Sequence, residues 1–262
     1  MNTPRYLLAS LLALATQAAS AGPVSALYLS NGGHTIKVVQ GNAVTDSWTT
    51  AHGSEWSLNV WGDVRTNLNC DGCSAAGAQY TLGGSYTGTN YAYPVGVGGD
   101  ADDGTSDGQF NYTVSYSDGN VYRMGRDFSH PQALFNVGLY RLGITYDASN
   151  QSLWIADWSG SMVTNYSLAG QVQSSFSTGH NSNGALALDP ADQTLWLVDN
   201  SNGSRLQQWS KSGTLLSTGI VVGYSLGGEF DLSAGAGRVP EPASLALVAL
   251  ALAGLGARRR RA

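Results

Sequence analysis

Two segments of the chain repeat at a spacing of 42 residues, and this repeat restricts the fold more than any other feature. Three pairs share the spacing: Trp154 and Trp196, Asp157 and Asp199, and Asp147 and Asp189. A spacing shared across a whole unit is typical of propeller blades or a related array of repeated units.

Each repeat is predicted to form four short strands separated by turns rich in Asp, Asn and Gly. The predicted strands are 142–146, 153–157, 162–166 and 171–176 in the first repeat, and 185–188, 195–199, 204–209 and 214–218 in the second. Four strands per unit are what a propeller blade requires. The repeats resemble those of NHL-type and related propellers.

The remaining blades are less regular in sequence. Steps of 42 residues back from Trp154 reach Tyr112, in a degenerate third unit, and Tyr28, in a first unit. The register fails between these two, in the stretch 55–69. We therefore predict an all-β, propeller-like domain of about five four-stranded blades over residues 22–238, closed by pairing of its last strands with the first. The alternative is a β-sandwich with repeated strands.

The N-terminus has the layout of a secretory signal peptide. Arg5 precedes an apolar run over residues 6–15, and Ala19-Ser20-Ala21 forms a small-x-small cleavage pattern. This order of charge, apolar run and cleavage site predicts a signal peptide over residues 1–21, delivery to the Sec translocon and a mature chain that starts near Gly22.

The C-terminus carries a second apolar segment. Residues 243–257 are apolar apart from Ser244, rich in Leu and Ala, and preceded by Pro240 and Pro242. A helix of this length spans about 22 Å, whereas a bilayer core is about 30 Å thick, so insertion requires local thinning or snorkelling of flanking cations. Four arginines follow the run: Arg258, Arg259, Arg260 and Arg261. They are predicted to stay cytoplasmic, which places the body outside.

This tail resembles the PEP-CTERM sorting signal of Gram-negative bacteria. Its Pro-Glu-Pro motif, apolar helix and arginine cluster occur in the family's order over residues 239–262. The resemblance implies that an exosortase recognises Pro240, Glu241 and Pro242 and processes the tail, and that the protein belongs with exopolysaccharide and biofilm systems. An ordinary C-terminal membrane anchor is the alternative.

The body is acidic. Residues 22–238 contain eight Lys and Arg against 17 Asp and Glu, a net charge of −9. Such a surface repels phosphate backbones, which argues against a nucleic-acid partner.

The two cysteines, Cys70 and Cys73, form a single C-x-x-C motif. In an exported protein this spacing favours a small disulfide loop. Metal binding, redox chemistry and free thiols remain as alternatives, although no second pair of ligands for zinc lies nearby.

Other candidate residues have structural and functional interpretations. Trp154 and Trp196 are predicted to pack between blades, with sugar stacking as the alternative. Asp157 and Asp199 are predicted to bind turn amides. The stretch GYSLG around Ser225 matches the G-x-S-x-G nucleophile elbow, but its flanks are strands and no histidine follows it. The scattered histidines match no metal motif: His34, His52, His130 and His180.

One segment, GGDADDGTSDG, is dense in carboxylates. Its acidic residues are Asp100, Asp102, Asp103 and Asp107. Oxygen ligands at this density suit calcium, although the EF-hand pattern fails at Gly104 and Asn111. A calcium site or a solvated flexible loop are the two interpretations.

These observations lead to one functional hypothesis and two alternatives. We expect an exported, non-catalytic envelope or matrix protein that binds or supports exopolysaccharide, with no catalytic residue and no cofactor unless calcium. The alternatives are a propeller-type lyase, lactonase or glycosidase, which requires acidic or histidine side chains at one channel mouth, and a purely structural surface protein.

Overall fold

The computed structural model describes residues 22–32, 34–68, 77–94 and 96–235. Almost all of the regular structure in these ranges is β-strand. The strands form five antiparallel sheets of four strands each. This arrangement confirms the predicted all-β propeller of about five blades; the β-sandwich alternative is not formed.

The strands follow one another in chain order within four of the five blades. Blade 2 contains β4 (Glu55–Val60), β5 (Val64–Leu68), β6 (Gly77–Tyr80) and β7 (Tyr86–Tyr91). Blade 3 contains β8 (Gly104–Ser106), β9 (Phe110–Val114), β10 (Asn120–Gly125) and β11 (Gln132–Asn136). Blade 4 contains β12 (Arg141–Asp147), β13 (Ser152–Asp157), β14 (Met162–Ser167) and β15 (Val172–Ser177). Blade 5 contains β16 (Asn183–Leu188), β17 (Leu195–Asp199), β18 (Arg205–Trp209) and β19 (Leu215–Val221).

Blade 1 is assembled from both ends of the body. It contains β1 (Leu27–Asn31), β2 (Thr35–Gln40), β3 (Ala43–Thr49) and, as its innermost strand, β20 (Ser225–Phe230). Leu27 pairs with Phe230 and Tyr28 with Glu229 in the antiparallel ladder that joins β20 to β1. This pairing confirms the predicted closure, and it covers strand edges that would otherwise be exposed.

The first strand of each blade lies at the centre of the ring. Neighbouring innermost strands contact one another in the order β4, β8, β12, β16, β20 and back to β4. All five run in the same direction, so they start on one face of the ring and end on the other. We call these the entry face, where Gly104 and Ser225 begin their strands, and the exit face, where Val60 and Phe230 end theirs.

The burial of each strand follows its position in the blade. The central strands β13 and β17 are buried along their whole length because other blades cover both of their surfaces. The outermost strand β15 is exposed except at Phe176, and its sequence is accordingly polar. Trp154 and Trp196 lie in the core with 3% and 1% of their surface exposed, which confirms their predicted packing role.

Candidate functional site

The channel at the centre of the ring is filled by buried polar groups. Asp103, just before β8, has no exposed surface, and its carboxylate accepts four backbone amides. Their donors lie in four different innermost strands: Gly104, Ile144, Leu186 and Gly228. The N···O distances lie between 2.8 and 3.2 Å. This one side chain therefore joins four blades across the axis.

A second buried carboxylate, Glu229, lies next to Asp103 in the channel. Its oxygens accept the Thr145 hydroxyl at 2.9 and 3.0 Å and the Phe230 amide at 3.0 Å. Burial raises its pKa well above the ordinary value, and the charge of Asp103 adds to this effect. Burial also raises the pKa of Asp103, against the effect of its four amide donors. Both carboxylates therefore hold the innermost strands together and have no contact with solvent.

The structure does not bring the four aspartates of the predicted calcium segment together. Asp103 points into the channel, and Asp100 lies exposed on the entry face. Asp107 follows β8 on the exit side, where it accepts the Gln109 and Phe110 amides and the Tyr112 hydroxyl. Its oxygens thus stabilise a turn. In the ranges that the structure describes, no three His, Cys, Asp or Glu side chains are placed to hold a metal ion.

Asp102, the remaining member of that segment, lies at the centre of the entry face. Its residue is 5% exposed, and its charge acts on the phenol of Tyr224. Burial, Asp102 and Tyr116 together raise the pKa of Tyr224 above its ordinary value. The Tyr224 hydroxyl is consequently a neutral group at physiological pH, able to donate and accept hydrogen bonds.

Aromatic side chains surround this position. The loops and strand starts of the entry face carry a set that we call the aromatic cluster: Trp56, Tyr116, Tyr140, Trp158 and Tyr224. Tyr224 makes edge-to-face contacts with Trp56 and Trp158, each at a centroid distance of 6.2 Å. Tyr116 and Tyr140 meet edge to face at 5.1 Å. These are preferred geometries for aromatic pairs, so the rings support one another in fixed orientations.

Backbone hydrogen bonds hold the loops of the aromatic cluster in place. The amide of Trp158 donates to the Tyr140 carbonyl, the amide of Tyr140 to the Tyr116 carbonyl, and the amide of Tyr116 to the Asp100 carbonyl. Tyr140 and Tyr224 nevertheless remain 46% and 47% exposed. The entry face therefore presents a preformed aromatic surface to solvent, above a channel that is closed by Asp103 and Glu229.

The repeated aspartates have the predicted turn-binding role. Asp157 accepts the Gly160 amide at 2.9 Å and forms an ion pair with Arg141. Asp199 accepts the amides of Ser201 and Asn202 at 3.1 Å and caps the short 3-10 turn Asn200–Asn202. Both residues shape loops on the entry face.

The remaining chemical candidates are separated. Ser225 is buried at the start of a strand, where its hydroxyl donates to the Gly223 carbonyl. His34 and His52 lie in neighbouring loops of blade 1, whereas His130 and His180 lie elsewhere in the ring. His52 contacts Asn90 Oδ1 at 2.6 Å, and His180 lies 4.0 Å from Asp199. A cavity of about 260 Å³ lies by the hairpin of β10 and β11, but its Arg123 guanidinium is already stacked on Phe110 and bonded to Gln132.

Several predicted features lie outside the described residues. These are the signal peptide with Ala19 and Ala21, the cysteine pair Cys70 and Cys73, and the C-terminal segment with Pro240, Glu241, Pro242 and Arg258 to Arg261. Within the described ranges, none of the helices is both long and apolar enough to span a bilayer.

Comparison with known proteins identifies the C-terminal motif and supports the fold. The model of the PEP-CTERM protein-sorting motif matches residues 238–261. No curated protein sequence matches the chain. Several solved structures are similar at 15% identity or less, a level that shows the fold alone.

Two of these structures align over most of this chain. A nidogen/laminin complex has a TM-score of 0.54 at 13% identity, covering 80% of this chain and 99% of that one. A protein of unknown function from Bacteroides thetaiotaomicron has a TM-score of 0.53 at 15% identity, covering 81% and 66%. A streptogramin B lyase is similar at a TM-score of only 0.45 and 12% identity, covering 72% and 58%. The chain is a five-bladed β-propeller with a PEP-CTERM protein-sorting motif at residues 238–261, which marks it as an exported protein sorted to the cell envelope.

Proposed function

We propose that the propeller binds a neutral polysaccharide of the envelope or extracellular matrix through the aromatic cluster, after an exosortase has recognised its tail. The observation that carries this proposal is the exposed pair Tyr140 and Tyr224, supported by partly exposed indoles and placed beside Asp102. Aromatic side chains with a polar end suit surfaces that are apolar on one side and wet on the other. Sugar rings have this character, with C–H faces and hydroxyl edges.

The charges around the cluster favour a neutral ligand. Arg141, the cation of the nearby β12, is paired with Asp157. Asp102 faces Tyr224, and the body as a whole carries a net charge of −9. A polyanion would be repelled by this surface, whereas sugar hydroxyl groups would find a donor and an acceptor in the exposed Tyr224 hydroxyl.

The shape of the site favours a chain lying across the face. The channel beneath the cluster is occupied by the side chains of Asp103 and Glu229, so a polymer does not thread through the ring. The aromatic contacts extend from Trp56 in blade 2 to Trp158 in blade 4. An extended polysaccharide would contact several rings along this path.

The enzymatic alternative rests on the two carboxylates of the channel. Asp103 and Glu229 have no exposed surface, and their oxygens are hydrogen-bonded to backbone amides and hydroxyls. An acid or base must reach its substrate, so this arrangement supports binding more than catalysis. The purely structural alternative predicts self-association without a glycan ligand.

The test is a binding titration with the secreted body, followed by intrinsic tryptophan fluorescence and calorimetry. The ligands are the host's exopolysaccharide, a neutral glucan and a polyuronate. We expect binding to a neutral polymer, weakened about tenfold by Trp158→Ala or Tyr224→Ala, as for an aromatic residue central to an interface. Tyr86→Ala is the matched control, since Tyr86 is 44% exposed on the outermost strand of blade 2. No binding, or equal losses in all three variants, would contradict the proposal.

A further inference from the structure

We infer that the C-terminal sorting segment holds the propeller with its exit face toward the membrane, so that the aromatic cluster points outward. The orientation follows from where the chain leaves the folded body. What the outward face binds rests on the proposed function, but the orientation itself does not.

The last strand crosses the body from one face to the other. β20 starts at Ser225, next to Tyr224 of the aromatic cluster, and ends at Phe230 on the exit face. Asp231 then accepts the amide of Gly62, in the turn between β4 and β5, at 2.8 Å. The chain that leads to the sorting segment therefore departs from the face opposite to the cluster.

The departure point is fixed and lies near the axis of the ring. Leu232 begins a short 3-10 turn, Leu232–Ala234, and is itself buried. Gly235 packs against Pro190, which follows the innermost strand β16. Since β16 and β20 both line the channel, the chain leaves close to the centre of the exit face.

The N-terminal end of the body is tied to the same face. The amides of Val24 and Ser25 donate to Asp189 Oδ2 at 2.9 and 3.1 Å, and the Ser25 hydroxyl donates to Asp189 Oδ1. Asp189 follows the end of β16, on the exit side. Both ends of the described body thus lie on one face of the folded propeller, and the entry face carries neither.

The length of the connection between the propeller and the apolar run limits how far the propeller can rotate relative to the membrane. Eight residues lead from Gly235 to Ala243, the start of the apolar run, and they span at most about 29 Å. A folded unit of this size has a radius of about 20 Å. The innermost strands, such as the six-residue β20, add a depth of about 20 Å between the faces. A path of about 40 Å around the rim would be needed to press the entry face against the membrane, and the connection is too short for it.

Processing of the tail does not change which face of the propeller lies toward the membrane. The motif residues Pro240, Glu241 and Pro242 follow Gly235 by only five to seven positions. Any attachment made at or near the motif therefore also lies on the exit side. The aromatic cluster would then point away from the membrane or other surface to which the protein is attached, toward polymers outside it.

The orientation is testable by energy transfer from the body to the membrane. The full mature chain, including residues 239–262, is reconstituted in phosphatidylethanolamine/phosphatidylglycerol vesicles whose lipid headgroups carry an acceptor dye. A donor dye is attached through a genetically encoded azide at Asn150 or Asn202, so that the cysteines stay unmodified. Both asparagines are exposed; Asn150 follows the end of β12 on the exit side, and Asn202 lies in an entry-face loop.

We expect clearly stronger transfer from Asn150 than from Asn202. Equal or reversed transfer, or a chain that does not float with the vesicles, would overturn the inference. Inserting about 20 Gly/Ser residues between Gly237 and Arg238 adds roughly 25 Å of root-mean-square reach and should reduce the difference between the two positions. Circular dichroism confirms that the labelled variants are folded.

The experiment separates this inference from the proposed function. Energy transfer is measured without any glycan, so the orientation can hold even when the propeller binds no polysaccharide. Adding the neutral polymer gives the second readout. If both ideas are right, vesicle-bound and free protein bind it with affinities within about twofold, because the membrane does not cover the cluster.

Discussion

The amide of Gly228 donates a 2.8 Å hydrogen bond to Asp103 Oδ1, joining residues that are 125 positions apart in the chain. Gly228 belongs to the last strand of the propeller and Asp103 precedes the first strand of blade 3. The same carboxylate binds Ile144 and Leu186 in the two blades between them. The axial carboxylate therefore connects the closing strand to most of the ring.

Asp103→Ala is expected to destabilise the body by at least about 3 kcal/mol. The substitution leaves four buried amides without their acceptor, and each unsatisfied buried donor costs about 1–3 kcal/mol. Urea unfolding followed by fluorescence measures the loss. The control is Asp46→Ala, at an exposed position of β3, which should stay within about 0.5 kcal/mol. A similar, small effect of both changes would show that the axial bonds contribute little.

Glu229 should make the stability of the protein depend on pH. Its pKa is raised in the folded state, so folding favours the protonated form and its contribution is lost as the pH rises above the unfolded value of about 4.5. We expect the free energy of unfolding to fall as the pH rises above about 4.5, by at most roughly 1.4 kcal/mol per pH unit, until the pH reaches the pKa of the folded state. Glu229→Gln should flatten this dependence. An unchanged pH profile in the variant would contradict the assignment.

Close approach of the innermost strands should make Gly184 intolerant of a side chain. A Cβ atom at Gly184 would lie 2.3 Å from the Ser225 carbonyl oxygen of the neighbouring strand. Gly184→Ala is therefore expected to cost about 1–3 kcal/mol or more. Gly83→Ala serves as the control, because its nearest neighbour would be 3.9 Å away. Equal unfolding midpoints for the two variants would mean that the ring relaxes freely.

The blades could be predicted because the repeat preserves the residues that face the core. The predicted strand 195–199 coincides with β17, and 153–157 differs from β13 by one residue. Blade 2 could not be placed in register. Its strands are separated by connections of other lengths, and β5 has no aromatic residue, whereas β13 has Trp154 opposite Thr145 and β17 has Trp196 opposite Ala187.

The site was less predictable because its parts lie far apart in sequence. The aspartate-rich segment suggested metal binding, yet Asp103 binds amides of strands that only the closed ring brings to it. The aromatic cluster combines single residues from loops of several blades, such as Tyr116, Trp158 and Tyr224. No short sequence motif indicates that these aromatic residues lie together. Comparing the innermost strands at the repeat spacing would have aligned Thr145, Ala187 and Glu229 at one level of the channel.

Binding of a neutral glycan at the aromatic cluster should depend little on salt. Stacking and hydrogen bonds to an uncharged ligand are not screened, whereas contacts between exposed charges weaken as the Debye length shrinks. We expect the Kd for the neutral polymer to change by less than about twofold between roughly 0.05 and 0.5 M NaCl, as measured by calorimetry. A strong decrease in affinity would instead indicate a charged ligand and would count against the proposed ligand class.

Changing the motif residues Pro240, Glu241 and Pro242 to alanine should stop processing without affecting the fold. The three substitutions lie outside the sequence of the twenty described strands, so we expect the propeller to fold as before. Mass spectrometry of membrane, surface and medium fractions should find wild-type protein ending near the motif and outside the inner membrane, and the variant full length within it. Val239→Ala is the control, because it lies within the matched segment but leaves Pro-Glu-Pro intact. If wild-type protein also ends at Ala262 and stays in the inner membrane, the tail acts as an anchor, and the ligands of the outward face would have to be sought in the periplasm.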